Sequence, residues 1–191
     1  MTIKGKKLAM TMNGADQVLM QPEDKGGWIS DSYVAVKLNN YEYHEFIFRF
    51  FNYKKYNKVE HFECEEGETL TIRKDGDKTW SDKTERKVID SLLIDIPIEK
   101  NVEVTDILFK DRENGRILRI LQKDNNLLYI NENKYGWILD ELDGYDTNQK
   151  DNGEMGSINI IDGKGNPIAI LMPIASGEIG KKVKKELKVL S

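Results

Sequence analysis

The sequence predicts an α+β protein made of two similar halves, each combining antiparallel strands with one packed amphipathic helix. Residues 105–174 follow the order strand, strand, strand, helix, strand, strand, and residues 7–74 follow a looser copy of it. A repeated order of this kind is typical of a shared core. We therefore expect one domain over residues 1–180, with halves of about 1–95 and 96–180, and a basic C-terminal tail over residues 181–191.

The first half begins with alternating apolar residues at Leu8, Met10 and Met12, which predict an opening strand over residues 7–12. Residues 21–27 are rich in turn formers and predict a bridge into two short strands, residues 28–29 and 33–38. A helix capped by Asn39 or Asn40 is expected next. Its apolar face has helical spacing, although an aromatic strand over residues 41–53 is the alternative; the face comprises Tyr43, Phe46, Ile47 and Phe50.

The remainder of the first half predicts a hairpin and a second helix. Residues 59–64 and 68–74 flank Glu66-Gly67, which is typical of a hairpin turn. Asp82 and Glu85 have the spacing of a capping box, so we expect a helix that ends before Pro97. Residues 75–101 are the only plausible joint between the halves.

The second half has stronger turn and capping signals. Asn114-Gly115 predicts a tight hairpin between residues 106–110 and 116–121, followed by a strand at 127–130. Asn131 is expected to cap a short helix that Gly144 ends. Its buried positions have helical spacing: Tyr135, Ile138, Leu139 and Leu142. Residues 145–156 predict a mobile loop, residues 157–161 and 168–172 a final hairpin, and the lysine-rich end a tail or a frayed amphipathic helix.

Composition excludes several classes of protein. A single cysteine, Cys64, excludes an internal disulfide framework, and the first residues lack the apolar stretch of a secretion signal. No apolar run approaches the roughly 20 residues that cross a bilayer. The sequence thus predicts a soluble, cytoplasmic protein with no membrane partner. Its net charge of -4 gives no overall field that recruits nucleic acid, so any DNA contact must come from a local patch.

No catalytic, cofactor or metal site is expected. His61 and Cys64, with His44, are too few ligands for a structural zinc site. A nucleophilic Cys64 is disfavoured because neighbouring glutamates, at positions 63, 65 and 66, oppose the thiolate and raise its pKa. The carboxylates at 140–151 lack the spacing of a calcium loop, and we interpret them as a solvated helix end.

Two basic segments are the candidate binding sites. The first combines cations with aromatic rings that can neutralise phosphates or stack on bases: Arg49, Tyr53, Lys54, Lys55, Tyr56 and Lys58. Its alternative is an amphipathic helix with solvated lysines and buried aromatics. The second lies at the lysine-rich end and would contact nucleic acid or an acidic partner, or serve only as a solubilising end: Lys181, Lys182, Lys184 and Lys185.

Several segments share features with a known module: residues 135–142, then Ile158-Asn159-Ile160, Pro167-Ile168 and residues 170–174, and, in the first half, residues 28–37. Together they resemble one module of the bacterial DNA sliding clamp. The resemblance implies a clamp-like fold of two similar halves and a non-enzymatic protein. It also implies self-association, because a complete clamp chain has three modules and this length allows about one. One departure is that the helix at 132–142 ends in carboxylates that would repel phosphate.

Three functions follow from these observations. The first is a clamp-like binding protein, a phage or mobile-element accessory factor that contacts DNA or replication proteins. The second is a protein-interaction or inhibitor domain with no DNA role, since fold does not decide function. The third is a small enzyme, which the sequence disfavours because it shows no set of acid, base and nucleophile. We also expect Met172 and Ile174 to pack beside Ile138 and Leu142.

Overall fold

The structure is a computed structural model that describes residues 3–52, 64–75, 78–92, 101–149, 156–175 and 177–189. It divides into two compact units, Met1–Ile94 and Asp95–Ser191. Each unit combines helices with antiparallel strands, which confirms the α+β class.

The described residues of the first unit form one sheet and two α-helices. The helices are α1 (Gly5–Met12) and α2 (Asn40–Asn52). The strands are β1 (Gln17–Glu23), β2 (Gly26–Ser30), β3 (Val34–Asn39), β4 (Thr69–Asp75) and β5 (Lys78–Thr84), and a 3-10 turn follows at Ile89–Leu92. Within this unit the strands lie in the antiparallel order β5-β4-β1-β2-β3.

The predicted opening strand at residues 7–12 is wrong, because this segment lies in α1. Leu8 and Met12, four residues apart, are buried on one helix face, whereas Met10 is exposed. A buried carboxylate anchors the start of the helix: Glu42 of α2 accepts a 2.7 Å hydrogen bond from the Gly5 N–H. The negative charge at this helix N-terminus also interacts favourably with the helix dipole.

The predicted turn within residues 21–27 and the two strands after it are confirmed, but the turn is shorter than expected, because β1 and β2 extend into this segment and form a hairpin. Pro22 belongs to β1, and only two residues between β1 and β2 make the turn. Gly26 has a φ of +133°, and a Cβ there would lie 2.0 Å from the Leu38 carbonyl oxygen. The glycine therefore permits both the backbone conformation and the close approach of β3.

Helix α2 is the predicted helix, and the alternative strand over residues 41–53 is excluded as far as Asn52. The Asn39 side chain accepts a 3.0 Å bond from the Glu42 N–H, as a cap requires. Tyr43, Phe46 and Phe50 are buried, while Phe48 is exposed. A strand would have placed Phe46, Phe48 and Phe50 on one face, so the burial of the outer two without Phe48 distinguishes the two periods.

The predictions for residues 59–95 are partly tested. Residues 59–63 lie outside the described residues, and the second strand of that hairpin is β4, which pairs with β1 and β5. The predicted cap at Asp82 is wrong, because Asp82 lies in β5 opposite Thr71; between there and Leu92, where the described stretch ends, the helical residues are those of the 3-10 turn. Long-range bonds hold the chain before that turn: the Val88 and Ile89 N–H groups donate to Thr69 Oγ1 and Gln21 Oε1 at 3.1 and 2.9 Å.

The second unit contains two groups of three strands. The elements are β6 (Glu103–Asp111), β7 (Arg116–Lys123), β8 (Asn126–Asn131), a π-helical segment (Glu132–Gly136), α3 (Trp137–Glu141), β9 (Asp146–Gln149), β10 (Ile158–Ile161), β11 (Pro167–Leu171) and α4 (Gly177–Val189). Strands β6-β7-β8 form one antiparallel sheet, and β11-β10-β9 pair in antiparallel order as well.

One core cluster of this unit lies between the β6-β7-β8 sheet and α4. Its buried members are Phe109, Leu118, Ile120, Tyr129 and Val183. Ile174 also packs against it and donates its N–H to the Tyr129 carbonyl at 2.8 Å. This cluster includes neither Ile138 nor Leu142, beside which we expected Ile174, and Met172 is half-buried.

The turn and capping signals of the second half are confirmed. The Asn114-Gly115 hairpin joins β6 and β7, with Gly115 at a φ of +65°. The Asn131 side chain accepts a 3.2 Å bond from the Lys134 N–H, and Gly144 has a φ of +87° after α3. The predicted loop is wrong for residues 146–149, which form β9, and residues 150–155 lie outside the described part.

The lysine-rich end is an amphipathic helix as far as Val189, which confirms the second of the two interpretations of this segment. Helix α4 begins at Gly177 and spans the predicted boundary at residue 180. Among the described residues, no helix combines the length and apolar character needed to cross a membrane.

The two units repeat an order of elements but not a pairing of strands. Three strands, a helix and further strands follow one another in both. In the first unit, β4, which follows the helix α2, pairs with β1, which precedes it. In the second unit, the strands after α3 (β9, β10 and β11) pair with none of the strands before it (β6, β7 and β8). The predicted similarity of the halves is therefore not shown.

Candidate functional site

The first predicted site is represented by Arg49 alone. It is exposed on α2, where its Nε donates a 2.8 Å bond to Glu45 and its guanidinium lies 5.6 Å from the centre of the Phe48 ring. Its other predicted members lie outside the described residues: Tyr53, Lys54, Lys55, Tyr56 and Lys58. Their clustering with Arg49 stays a prediction.

The second predicted site lies on α4. Lys181 and Lys185 are exposed, whereas Lys182 is half-buried and donates to Glu113 in the β6–β7 turn. Lys184 belongs to the helix, but its side chain is outside the described part. Lys182 therefore attaches the helix to the sheet, and the exposed Lys181 and Lys185 face solvent.

The structure brings two of the weighed catalytic residues to one pocket. A cavity of about 510 Å³ in the first unit is lined by residues that include Tyr43, His44 and Cys64. Burial, and then the Glu68 carboxylate, raise the pKa of the Cys64 thiol. The sequence predicted this direction, but from neighbouring glutamates rather than from burial. A raised pKa reduces the thiolate fraction, so this geometry opposes nucleophilic chemistry.

A cleft in the second unit was missed at the sequence level. It has a volume of about 560 Å³, and strand β6, the α3–β9 connection and β10 contribute its walls. Five carboxylates line it, and we call it the acidic cleft: Glu103, Asp106, Asp140, Asp143 and Asp146. Its apolar wall consists of Val104, Leu139, Leu142 and Ile160. From the sequence, the carboxylates of residues 140–151 were expected to form a solvated helix end and loop.

Arg119 is the one cation that lines the acidic cleft among the described residues. Its Nε and Nη2 donate to the two Glu132 carboxylate oxygens at 2.8 and 2.7 Å, and its Nη1 donates to Asp140 at 2.6 Å. The Arg119 and Glu132 side chains are only 12% and 18% exposed, whereas Asp140 is 61% exposed. The guanidinium is therefore already bound by two carboxylates and leaves the cleft negatively charged.

Gly136 makes room for this pair. A Cβ at that position would lie 2.1 Å from Glu132 Oε2. The glycine thus allows the Glu132 carboxylate to lie over the π-helical segment, where it meets Arg119 from β7.

Exposed apolar side chains border the acidic cleft on β6. Val104, Ile107 and Leu108 are 37%, 49% and 52% exposed, and we call them the apolar strip. Leu108 pairs with Arg119 in register, and cross-strand partners share one face of a sheet. Val104 lies opposite Leu121, two residues after Arg119, so Val104 and Leu108 share the face of the sheet on which Arg119 lines the cleft.

Strand β6 bulges beneath this strip. Val104 lies opposite Leu121 and Leu108 opposite Arg119, so residues 105–107 face Ile120 alone. The Thr105 hydroxyl spans the bulge, donating to the Ile120 carbonyl at 2.6 Å and accepting from the Ile107 N–H at 3.2 Å. Ile107, which is 49% exposed, lies within this bulge.

One sequence signal could have indicated the strip. A strand buried on one face alternates apolar and polar residues, yet Ile107, Leu108 and Phe109 are consecutive. Phe109 belongs to the core, so the run leaves apolar side chains exposed.

The described residues contain no group of three or more His, Cys, Asp or Glu side chains placed to hold a metal ion.

Comparisons with known proteins found no match: no protein-family model, curated protein or solved structure matches this chain. Its function is therefore inferred from the geometry of its own residues.

Proposed function

We propose that this chain is a non-enzymatic protein-binding protein, and that a partner docks on the apolar strip and acidic cleft of its second unit. One observation carries the proposal: three apolar side chains within five residues of β6 are exposed, and one of them, Val104, lines a cleft. Single exposed apolar residues are ordinary on protein surfaces, but several on one short stretch of strand beside a cavity are typical of an interaction site.

The strip can supply a substantial share of a binding free energy. Fully burying an aliphatic side chain stabilises by about 1.5–3 kcal/mol, and these three side chains retain between a third and a half of their exposure. Covering them contributes roughly 3 kcal/mol in total, which corresponds to about two orders of magnitude in affinity.

The contact is made by side chains rather than by strand addition. The bulge over residues 105–107 breaks the even spacing of backbone groups along β6. A partner strand needs that spacing to form a ladder of hydrogen bonds. The exposed surface therefore offers apolar side chains and carboxylates instead of backbone groups.

The test begins with affinity capture and identification of bound proteins, and the evidence comes from titration of the purified partner. We expect Ile107→Ser and Leu108→Ser each to weaken binding about tenfold. Met10→Ser is the matched control, because Met10 is 61% exposed but lies in the first unit. Equal affinities of the wild type and both strip variants would refute the proposal.

A second candidate function is clamp-like contact with DNA, in a phage or mobile-element protein that also engages replication proteins. It is supported by the exposed Lys181 and Lys185 of α4 and by the exposed Arg49 of α2. Cations of this kind neutralise phosphates and release counterions, so binding weakens as salt rises.

DNA binding is tested with labelled duplex and single-stranded DNA at low and moderate salt. We expect Lys181→Ala combined with Lys185→Ala to weaken binding and to reduce its salt dependence. Association that is absent at low salt removes the DNA candidate. Molecular mass measured in solution tests the clamp-like form separately, because a ring requires several copies of a chain this short.

A further inference from the structure

We propose that the partner presents a lysine- or arginine-bearing segment with apolar residues beside its cations, and that these cations enter the acidic cleft. The inference rests on the proposed protein-binding function and identifies the chemistry of the occupant. The exposed apolar strip is the docking surface, and the charge at its border selects what docks there.

The charge of the cleft favours a cation. Five carboxylates line it, and its single guanidinium already contacts Glu132 and Asp140. An acidic segment entering the cleft would meet like charges with no free cation among the lining residues, whereas a basic segment would meet opposite charges at several points.

The size and spacing of the carboxylates favour an extended organic cation over a metal ion. Within the described residues, no three acidic, His or Cys side chains come close enough to hold a metal ion, although five carboxylates line this cleft. The negative charge is therefore distributed along the walls. The cavity of about 560 Å³ also exceeds by far the space that one ion and a few waters fill.

The apolar strip favours a polypeptide over a small polyamine. A polyamine could contact the carboxylates, but it carries no branched side chains to cover Ile107 and Leu108 outside the cleft. A segment of alternating basic and apolar residues satisfies both parts of the surface. Lysine and arginine also carry methylene stems that can pack against the exposed Val104 of the lining.

Asp140 is the contact at which the incoming cation competes with Arg119. Glu132 holds Arg119 through two bonds in a mostly buried pair, while the third bond leads to the exposed Asp140. An entering cation can therefore bind Asp140 while Arg119 stays attached to Glu132. Asp143 and Asp146 also line the cleft, in the α3–β9 connection and at the start of β9.

The test compares two labelled twelve-residue peptides, one alternating lysine with valine and the other alternating glutamate with valine. Fluorescence anisotropy with the full chain in 50 mM salt should show at least tenfold tighter binding of the lysine peptide. Asp140→Asn combined with Asp143→Asn should weaken it at least fivefold. The matched control removes two exposed carboxylates of the first unit, Asp24→Asn with Glu66→Gln, and should leave affinity unchanged.

Three results would overturn the inference. They are equal affinity for both peptides, no effect of the cleft variant on the affinity, or complete displacement of the lysine peptide by spermidine at a concentration equal to that of the peptide. Circular dichroism of each variant establishes that it is folded. If binding of the purified partner depends on Leu108 but not on Asp140 and Asp143, the inference fails and the proposed function stands. If neither change affects the partner, the proposed function itself fails.

Discussion

Replacing Arg119 with Met tests how much the Arg119–Glu132 pair, at the acidic cleft, contributes to the free energy of unfolding. Two hydrogen bonds, of 2.8 and 2.7 Å, join the side chains, which are 12% and 18% exposed. Exposed ion pairs contribute about 0–1 kcal/mol, whereas breaking a fully buried pair costs about 3–5 kcal/mol. For this mostly buried, bidentate geometry we expect Arg119→Met to lower the free energy of unfolding by about 2–3 kcal/mol.

A double-mutant cycle isolates the pair from the other effects of each substitution. Glu132→Gln should cost about 1–2 kcal/mol, and the double variant should cost less than the sum of the singles by about 1–2 kcal/mol. Asp140→Asn is the control, with an expected cost under about 0.5 kcal/mol, because Asp140 is 61% exposed and solvent screens its bond to Arg119.

The measurement is urea unfolding followed by circular dichroism, with the slope against urea checked for constancy across the variants. Additive single costs, with a coupling below about 0.3 kcal/mol, would show that the two side chains lie together without stabilising one another. A large cost for Asp140→Asn would show that the exposed bond matters more than its accessibility allows.

Three further predictions concern the first unit. Gly5→Ala should destabilise by about 2–3 kcal/mol in thermal or urea unfolding, since its Cβ would lie 1.9 Å from the Glu42 carbonyl oxygen; a cost near zero would contradict this close approach. Gln21→Leu should cost about 1–3 kcal/mol, because it leaves a buried backbone N–H without its acceptor, and an unchanged urea midpoint would count against it. Iodoacetamide should alkylate Cys64 slowly at pH 8, with a rate that rises at a higher pH than for free cysteine, because burial and Glu68 raise its pKa; a midpoint below that of free cysteine would disprove the shift.

The elements that sequence reasoning predicted well are those whose signals are local. Helix α2 and the helix that follows Asn131 each combine a capping asparagine with helical spacing of buried residues. The β6–β7 hairpin has an Asn-Gly turn whose glycine takes the expected positive φ. In each case the residues that determine the structure lie within a few positions of one another, so a single window of sequence contains them.

The elements that it missed depend on distant partners. Eight residues of α1 fit both a strand and a helix period, and the Glu42 carboxylate that caps the helix lies 37 residues from Gly5. Gln21 holds the Ile89 N–H from 68 positions away. No local sequence pattern contains such bonds. The spacing of Asp82 and Glu85 therefore predicted a helix in a segment whose structure depends on these distant partners.

The acidic cleft could not be predicted for the same reason. Its lining extends from Glu103 to Ile160 and is assembled by β6, the α3–β9 connection and β10. The sequence showed the carboxylates at 140–146 and an apolar run at 107–109, but not their proximity. The candidate nucleic-acid patch differs from the cleft, because its members are close in sequence and could be identified from it. Its structure is untested, since Arg49 is the one member among the described residues.

The bulge in β6 bears on how this protein behaves at high concentration. Regular, apolar edge strands promote the growth of cross-β fibrils, because each added chain finds evenly spaced backbone donors and acceptors. In β6, three residues, 105–107, lie opposite Ile120 alone, so the even spacing of backbone groups is interrupted where Ile107 and Leu108 are exposed to water. Straightening the strand by deleting two of the three residues 105–107 should therefore promote fibrillar aggregation.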